Sequence, residues 1–428
     1  MEFLVLLLFA AGLMGCLFFD ISVIVALLWG YMLFFSYGLY RHFSARDLVS
    51  LSLDGIKTVK TILIAFIFIG MLTASWRACG TIPIIIYSSS IVMIPEIFLL
   101  ITFLLNSLVS FLTGTSFGTM ATIGVICMTI GNIMGIDPAL LGGASLSGIY
   151  FGDRCSPMST SALLVAGLTK TDLYKNIKLM FRTSLVPTIA TCLIYAALGL
   201  TVDMTQASTE ILGLFAQNFN LHWLTLVPAL LIIALSALRL PVIKTMIAST
   251  AAAAVICFSL QGMSIPDILA MLALGYHAAD PTLAAMMDGG GISSMFTVGA
   301  IVCISASYFG IFDKTGLLKA LENHIGALAE RITIYGSAIV VSILTGMISC
   351  NQSLASMLTY QLCKTTERDS QRLAIILENT TVVIAALIPW NIAVAVPLHT
   401  WNVPMTSILF ACYLYLLPGW NLLVNRKA

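Results

Sequence analysis

Residues 113–119 read Thr-Gly-Thr-Ser-Phe-Gly-Thr and lie in the middle of an apolar segment, residues 97–134. That segment is too long for one uninterrupted membrane span of about 20 residues. Irregular backbone inside a bilayer must face protein or water, because lipid cannot satisfy its N–H and C=O groups. The two glycines and four hydroxyl side chains of this stretch, here named the first break, therefore predict a broken membrane helix that lines a site. Close helix packing is the alternative, since Gly, Ser and Thr also let helices approach.

The composition identifies a membrane protein. Hydrophobic residues make up 59% of the 428-residue chain and charged residues 9%, whereas soluble domains carry about a quarter charged residues. This excludes large soluble domains and leaves room for roughly ten to fourteen crossings. Continuous apolar runs at 3–19, 21–40 and 61–76 predict helices rather than the alternating strands of a transmembrane barrel. The predicted fold class is an all-α polytopic membrane protein.

Basic residues cluster in a few loops, and the positive-inside rule places such loops in the cytoplasm. The loops 200–222 and 261–293 contain acidic residues and no Lys or Arg, so we expect them outside. Both termini are predicted to lie in the cytoplasm, in an inner or plasma membrane. The basic clusters are Arg41, Arg46, Lys57 and Lys60; Lys170, Lys175, Lys178 and Arg182; Arg239 and Lys244; Lys364, Arg368 and Arg372; and Arg426 and Lys427.

The charge map also indicates an internal symmetry. Segment 61–76 runs outward and segment 295–312 runs inward, and the same offset of about 235 residues relates the first break to residues 348–352. Inverted-topology repeats are typical of secondary transporters with interrupted helices. The mixed-polarity segments 45–57 and 317–331 predict amphipathic interfacial helices. The predicted regions are 1–57, with two transmembrane helices and a cytoplasmic linker; 58–200, the first repeat; 201–292, with two linking helices and an outside loop; and 293–428, the second, inverted repeat.

A second break, residues 152–161, places Asp153, Arg154 and Pro157 inside the apolar segment 138–168. A charge at that depth is costly unless it is paired or hydrated. Asp153 is therefore a candidate to bind a cation or take up a proton, and Arg154 to neutralise it or meet an anionic substrate. A purely structural Asp–Arg pair is the alternative.

Two further breaks lie in the second repeat. The third break, residues 349–353, reads Ser-Cys-Asn-Gln-Ser and corresponds to the first break, with interhelical hydrogen bonding as its plainer interpretation. The fourth break, residues 378–391, begins with Glu378 and ends in Leu-Ile-Pro-Trp-Asn. One carboxylate again precedes a proline, which makes Glu378 the best titratable partner for Asp153.

Four groups of residues carry a family resemblance. They are Ala74-Ser75-Trp76 with Gly80-Thr81-Ile82-Pro83; Thr113 to Thr119 followed by Thr122-Ile123-Gly124-Val125; Tyr150-Phe151-Gly152-Asp153-Arg154 leading to Ser156-Pro157; and Leu387 to Asn391. From about residue 58 onward, the chain resembles the NhaC-type Na⁺/H⁺ antiporter family of the ion transporter superfamily. The resemblance implies exchange of Na⁺ for protons, and related members couple ion gradients to organic acids or amino acids.

The resemblance also implies a divided site, from which this chain departs at two positions. Family antiporters have a Ser-Asp-Thr-Thr-Asn run where this chain reads Ser159-Thr160-Ser161-Ala162-Leu163, and an acid where it has Asn379. A cation must then rely on Asp153, Glu378 and neutral oxygens, which strengthens the expectation of an organic substrate. The candidate substrate or ion ligands are Thr115, Ser116, Thr119, Asp153, Ser156, Ser159, Thr160, Asn351, Gln352, Ser353, Glu378, Asn379, Trp390 and Asn391, with Asp153 and Glu378 as Na⁺ ligands and Arg154 as an anion or charge partner.

We expect secondary active transport by alternating access, with Na⁺/H⁺ exchange as the leading activity. The alternative is a Na⁺- or H⁺-coupled transporter or exchanger of a small carboxylate or amino acid. A passive channel or membrane scaffold would explain the spans but not the paired breaks. No Walker or Gly-x-Ser-x-Gly sequence is present, so we predict no enzyme. We expect no cofactor beyond Na⁺ and H⁺ as transported or coupling ions, the lipid bilayer and a small ion or molecule as partners, and no nucleic acid; a homodimer is left open.

Overall fold

The structure is a computed structural model that describes residues 2–18, 22–89, 95–201, 209–238, 240–315, 333–349 and 351–425. Within these ranges helices are joined by short loops, and an isolated β-bridge links Tyr276 to Gly289. The all-α fold class is therefore confirmed. The predicted amphipathic segment 317–331 lies outside the described residues.

The helices follow one another with few intervening residues. The α-helices are Glu2–Phe18, Val23–Tyr40, Ala45–Thr58, Lys60–Ala78, Thr81–Ser89, Phe98–Thr113, Ser116–Thr119, Val125–Ile133, Pro138–Cys155, Thr160–Thr169, Leu173–Thr201, Thr209–Asn218, Val227–Ala237, Val242–Ser259, Ile265–Leu274, Pro281–Met287, Phe296–Thr315, Ile334–Ser349, Gln352–Cys363, Ser370–Asn379, Thr381–Ile384, Ile392–Trp401 and Cys412–Val424. The 3₁₀ helices are Pro95–Ile97, Trp223–Leu226, Ile292–Met295, Ala385–Leu387 and Met405–Phe410. A π-helical turn, Met120–Gly124, joins Ser116–Thr119 to Val125–Ile133.

Each predicted break is a gap between helices. At the first break, helix Phe98–Thr113 ends on Gly114, whose φ of +67° is a conformation that favours glycine. At the second break, the chain is non-helical between Cys155 and Thr160. At the fourth break, the helical segment Ser370–Leu387 and the helix Ile392–Trp401 meet at an angle of 48°. The third break separates Ser349 from Gln352.

Helix bounds recur along the chain at the predicted offset. Lys60–Ala78 corresponds to Phe296–Thr315, and Phe98–Thr113 corresponds to Ile334–Ser349, with starts about 235 residues apart. The helices that follow the breaks recur in the same order. The division into repeats and their opposite orientation in the membrane stay predictions.

The breaks leave few helices long enough to cross a bilayer unaided. In the described part, Lys60–Ala78, Ser116–Ile133 and Leu173–Thr201 are long and apolar enough, and the bent pair around the fourth break makes a fourth candidate span. Most other apolar helices have 10 to 17 residues. The number of crossings therefore stays a prediction.

Small residues bring the two helices beside the first and second breaks into close contact. A Cβ atom built on Gly148 would lie 2.6 Å from the Phe103 carbonyl oxygen, and one on Gly152 would lie 2.5 Å from the Ser107 carbonyl oxygen. Such contacts let helix Pro138–Cys155 approach helix Phe98–Thr113 along its length. This packing fixes Asp153 and Arg154, at the end of Pro138–Cys155, relative to the first break.

Helix Ala45–Thr58 packs in the same close manner against Phe296–Thr315. A Cβ atom on Gly55 would lie 2.1 Å from the Ala306 carbonyl oxygen, and one on Gly310 would lie 2.2 Å from the Leu51 carbonyl oxygen. The segment predicted as amphipathic at 45–57 is helical and packs on the helix that begins the predicted second repeat.

Candidate functional site

The first, second and third breaks converge on one cavity of about 520 Å³. Helix Lys60–Ala78 and the segment around Pro241 supply its apolar wall. The candidate residues on the wall of the cavity are Thr115, Ser116, Asp153, Thr160, Asn351, Gln352 and Ser353. Asp153 is the one charged residue among all those that line it in the described part of the chain.

The first break contributes hydroxyl groups and a tight turn to the cavity. Thr115 begins the next helix, and its Oγ1 accepts a hydrogen bond from the Gly118 N–H at 3.3 Å. A Cβ atom on Gly114 would lie 2.6 Å from the Met158 backbone carbon, so the first and second breaks touch at this glycine. Thr119 does not line the cavity; its Oγ1 donates to the Thr115 carbonyl oxygen at 2.8 Å.

The second break presents Asp153 to the cavity. Its carboxylate is only 3% exposed, and Ser159 Oγ donates to Oδ1 at 3.0 Å. Ser116, across the contact with the first break, also faces this carboxylate through its hydroxyl and its backbone N–H. Ser159 additionally caps the helix that begins at Thr160, by accepting hydrogen bonds from two backbone N–H groups. Ser156 is fully buried, and its Oγ accepts from the Met158 N–H at 3.2 Å rather than facing the cavity.

The third break contributes amide and hydroxyl groups opposite Asp153. Asn351 Oδ1 caps the next helix by accepting from the Ser353 N–H at 2.9 Å. Gln352 Nε2 donates to the Val382 carbonyl oxygen at 2.7 Å, which leaves its side-chain oxygen without a described partner. The third break thus provides neutral oxygens to the cavity and is tied to the fourth break behind it.

The fourth break supports the cavity more than it lines it. Trp390 Nε1 donates to the Met347 carbonyl oxygen at 3.0 Å, and Asn391 Nδ2 donates to the Gly346 carbonyl oxygen at 3.0 Å. Asn391 also caps the helix that begins at Ile392, and Ile392 and Ala393 form part of the cavity wall. Trp390 and Asn391 therefore hold a helix start in place, and their own side chains lie off the wall.

Four helix N-termini point to this cavity. The helices start at Ser116, Thr160, Gln352 and Ile392, and all four starting residues line it. Helix N-termini carry partial positive charge and unpaired N–H groups, which stabilise anions. They favour the ionised form of Asp153 and would equally favour a bound carboxylate.

Arg154 follows Asp153 in sequence but points away from the cavity. It is 0% exposed, and its Nε donates to the Glu378 backbone oxygen at 3.1 Å. Further donors reach Tyr413 Oη at 3.0 Å, Thr183 Oγ1 at 3.2 Å and Asn379 Oδ1. The guanidinium therefore joins helices from both predicted repeats, and it lies off the cavity wall where an anionic substrate would bind.

Glu378 and Asn379 lie beside Arg154, behind the cavity. Glu378 is 0% exposed, and neither of its carboxylate oxygens has a hydrogen-bond partner in the described structure. Asn379 Oδ1 accepts from Arg154 and from Thr183 Oγ1 at 3.3 Å. We name Arg154, Glu378, Asn379, Thr183 and Tyr413 the buried charge cluster. Neither Glu378 nor Asn379 lines the cavity.

Sequence reasoning did not identify the apolar wall or the partners of Arg154. Ile62, Phe66 and Ile69 line the cavity from a helix with no interruption, so they carry no signal that separates them from lipid-facing residues. On the opposite side of the cavity, Pro241 lies between two helices and was the sequence feature that could have indicated this part of the wall. Tyr413 lies 259 residues from Arg154, which only tertiary structure reveals.

The donor set on the wall suits a hard monovalent cation. Among the described residues no group of three or more His, Cys, Asp or Glu side chains could hold a metal ion. One carboxylate surrounded by hydroxyl and amide oxygens instead offers the oxygen ligands that such cations prefer, with low total charge.

Broken apolar helices around a cavity with one buried carboxylate define a polytopic membrane transporter. Such a site binds a small substrate deep inside the helix bundle, as secondary transporters do. The chain belongs to the Na⁺/H⁺ antiporter family, whose family model matches residues 148–422. Membership confirms the predicted NhaC-type family and supports Na⁺/H⁺ antiport as the leading activity.

Several characterised proteins are similar over most of this chain. The "Na(+)/H(+) antiporter NhaC" of Alkalihalophilus pseudofirmus is 27% identical over 90% of this chain and 86% of its own length. The "Malate-2H(+)/Na(+)-lactate antiporter" of Bacillus subtilis is 28% identical over 80% and 75%. The "Arginine/ornithine antiporter ArcD" of Halobacterium salinarum is 28% identical over 81% and 74%. All three names describe transporters.

Proposed function

We propose that the protein exchanges Na⁺ for H⁺ across an inner or plasma membrane, as a transporter without catalytic chemistry and with both termini in the cytoplasm. The cavity between the three breaks carries the proposal, because it brings one buried carboxylate together with neutral oxygens from both predicted repeats. Na⁺ would bind Asp153 together with the hydroxyls of Thr115, Ser116 and Thr160. Alternating access then requires the two repeats to move against each other around this cavity.

The first step of the mechanism is desolvation of Na⁺ in a site that remains largely neutral. Asp153 supplies the negative charge, and Ser159 and the four helix N-termini keep that charge stable inside the protein. The amide groups of Asn351 and Gln352 complete the wall from the other repeat. A cation bound between the two predicted repeats would reach the other side of the membrane only when one repeat moves against the other, as alternating access requires.

A second candidate function is exchange of a small carboxylate together with these ions. A cavity of about 520 Å³ is far larger than a bare ion requires, and it falls within the size range of small-molecule sites. The four helix N-termini would hold the carboxylate, while the apolar wall of Ile62, Phe66 and Ile69 would contact its carbon atoms. Two of the similar proteins carry names of organic-substrate antiporters.

One experiment separates the two candidates. The purified protein is reconstituted into proteoliposomes that contain a pH-sensitive dye, and an inward Na⁺ gradient is applied with and without lactate or malate inside. Na⁺-driven H⁺ efflux in the absence of any carboxylate supports Na⁺/H⁺ exchange. Efflux that requires the carboxylate supports the second function. Efflux equal to that of protein-free liposomes under every condition would refute both.

A further inference from the structure

Glu378 differs from Asp153, the carboxylate on the cavity wall, because no hydrogen-bond donor contacts its carboxylate in the described structure. It lies in the last turn of helix Ser370–Asn379, is fully buried, and both carboxylate oxygens lack a hydrogen-bond partner in the described structure. An ionised carboxylate in such surroundings is costly, whereas the protonated acid is neutral. The carboxyl group of Glu378 is therefore suited to hold a proton while it is closed off from the cavity.

The neighbours of Glu378 supply one fixed positive charge. Arg154 donates to neutral acceptors, namely the Glu378 backbone oxygen, Tyr413, Thr183, Asn379 and the Met180 carbonyl oxygen. The titratable or charged groups near Glu378 are Arg154, Asp153 and Cys155. Tyr413 and Tyr335 contact its neighbours, Arg154 and Asn379. The guanidinium thus stabilises charge on Glu378 through space without pairing with its carboxylate.

We propose that Glu378 carries the exchanged proton behind the cavity, while Na⁺ binds at Asp153 on the cavity wall, so that the two ions do not compete for one set of ligands. This inference rests on the proposed Na⁺/H⁺ exchange and specifies its sites. It assigns Glu378 a role different from the Na⁺ ligand that the sequence predicts. Charge on one carboxyl group would affect protonation of the other, because both are buried and charges are weakly screened inside a protein.

Charge balance gives the physical reason for coupling. With no Na⁺ bound, Arg154 and Asp153 neutralise each other and Glu378 is the neutral acid. Na⁺ at Asp153 adds one positive charge to this buried region. Loss of the Glu378 proton adds one negative charge, which balances it. The O–H bond of the acid breaks, its electron pair stays on the carboxylate, and the proton passes to water. The form that carries the proton and the form that carries Na⁺ are therefore both neutral overall. A form with both ions or with neither would bury an unbalanced charge, which costs several kcal/mol.

The test compares two fluxes in proteoliposomes, for wild type and for Glu378→Gln. The first flux is Na⁺-driven H⁺ movement, and the second is exchange of radiolabelled Na⁺ against unlabelled Na⁺, which needs no proton. Glutamine imitates the permanently protonated acid. We expect its H⁺ flux to fall at least about tenfold, while Na⁺/Na⁺ exchange at saturating Na⁺ stays within about threefold of wild type. The half-saturating Na⁺ concentration should rise and depend less on pH than in wild type.

Glu367→Gln is the matched control. Glu367 lies at a loop, and one of its oxygens is 3.3 Å from Arg372 Nε. This variant should retain both fluxes. Size-exclusion profiles of the purified proteins establish that each variant is folded.

Three results would overturn the inference. If folded Glu378→Gln retains Na⁺-driven H⁺ flux, another group carries the proton. If it loses Na⁺/Na⁺ exchange as well, Glu378 takes part in Na⁺ binding or in the movement itself. Absence of Na⁺-driven H⁺ flux in wild type would instead remove the proposed function, and this inference with it.

If the glutamine variant does not fold, Glu378→Asp tests whether the proton site is separate from the Na⁺ site. Aspartate retains a titratable group at the same place, so H⁺ flux should persist with a displaced pH profile, while the half-saturating Na⁺ concentration at high pH stays within about threefold of wild type. A rise of that concentration by more than about tenfold would contradict a separate proton site.

Discussion

The cavity wall around Asp153 and the buried charge cluster around Arg154 begin at neighbouring residues of one helix but provide opposite surroundings. Successive residues of a helix point about 100° apart, so Asp153 faces the cavity while Arg154 faces the interior. Asp153 meets hydroxyl groups and helix N-termini beside open space. Arg154 distributes its donors over three other helices without access to the cavity. The difference teaches that, of the two neighbouring charged residues, one lines the cavity and the other holds helices together.

Removal of the Arg154 guanidinium should have the largest effect. Arg154→Met leaves the Glu378 backbone oxygen without its donor, removes one of the two donors to Asn379 Oδ1 and takes away a buried positive charge. The free energy of unfolding should therefore fall by about 3–5 kcal/mol. Chemical unfolding in detergent measures this change. The control is Arg372→Met, because the Arg372 side chain is 39% exposed and its Nε lies 3.3 Å from Glu367. An ion pair with one solvent-exposed partner should contribute about 1 kcal/mol. Equal losses for the two variants would contradict the structural role of Arg154.

Asp153→Asn should affect transport rather than stability. The substitution preserves shape but removes the only negative charge on the described cavity wall, so Na⁺-driven H⁺ flux should fall at least about a hundredfold. Asp137→Asn is the control at the other end of the same helix, where Asp137 is the N-cap and Asn caps about as well. Flux within a few-fold of wild type in folded Asp153→Asn would show that Na⁺ binds elsewhere.

Gly114→Ala should damage both regions through the backbone. Alanine at φ +67° is strained, and its Cβ would lie 2.6 Å from Met158, so the free energy of unfolding should fall by about 1–3 kcal/mol with slower transport. Gly167→Ala is the control, because a Cβ there meets nothing within 4 Å and alanine favours a helix. Thermal unfolding of both variants in detergent tests the difference. If both are equally stable, the first break tolerates rearrangement.

Ser159→Ala should have the smallest effect. It removes a helix cap and the hydrogen bond to Asp153, together worth about 1–2 kcal/mol. The less stabilised carboxylate would favour its proton, so the half-saturating Na⁺ concentration near neutral pH should rise about threefold to tenfold. Ser264→Ala removes an equivalent cap far from the cavity and should leave this concentration unchanged. A matching rise in that control would assign the effect to helix stability alone.

Local chemistry explains which features could be predicted. Glycine at position 114, the Ser-Pro sequence at 156–157 and the proline at 389 each lie between two helices, as expected from a left-handed glycine cap and from the N–H group that proline lacks. For the same reason the residues on the wall at the first and third breaks, among them Thr115 and Asn351, were identifiable before any contact was known. Lipid cannot satisfy polar side chains or interrupted backbone, so their presence inside an apolar segment indicates a site within the protein.

Tertiary packing decided which candidates share that site. Glu378, Asn379, Trp390 and Asn391 satisfied the same sequence criteria as Asn351 but lie behind the wall. Helices inside a membrane protein are apolar on all sides, so no hydrophobic periodicity tells which face is buried against protein. The facing residues are fixed only when helices more than 200 residues apart pack together, as Arg154 and Glu378 do.

The sequence by itself thus determined an all-α membrane protein with four interrupted helices and a family. Charge and helix-breaking residues act locally, and the bilayer makes their cost unavoidable. The tertiary structure alone decided that Asp153 faces an open cavity while Arg154 and Glu378 are enclosed together behind it. Those relations depend on the close packing of distant helices, a property of the whole bundle rather than of any segment.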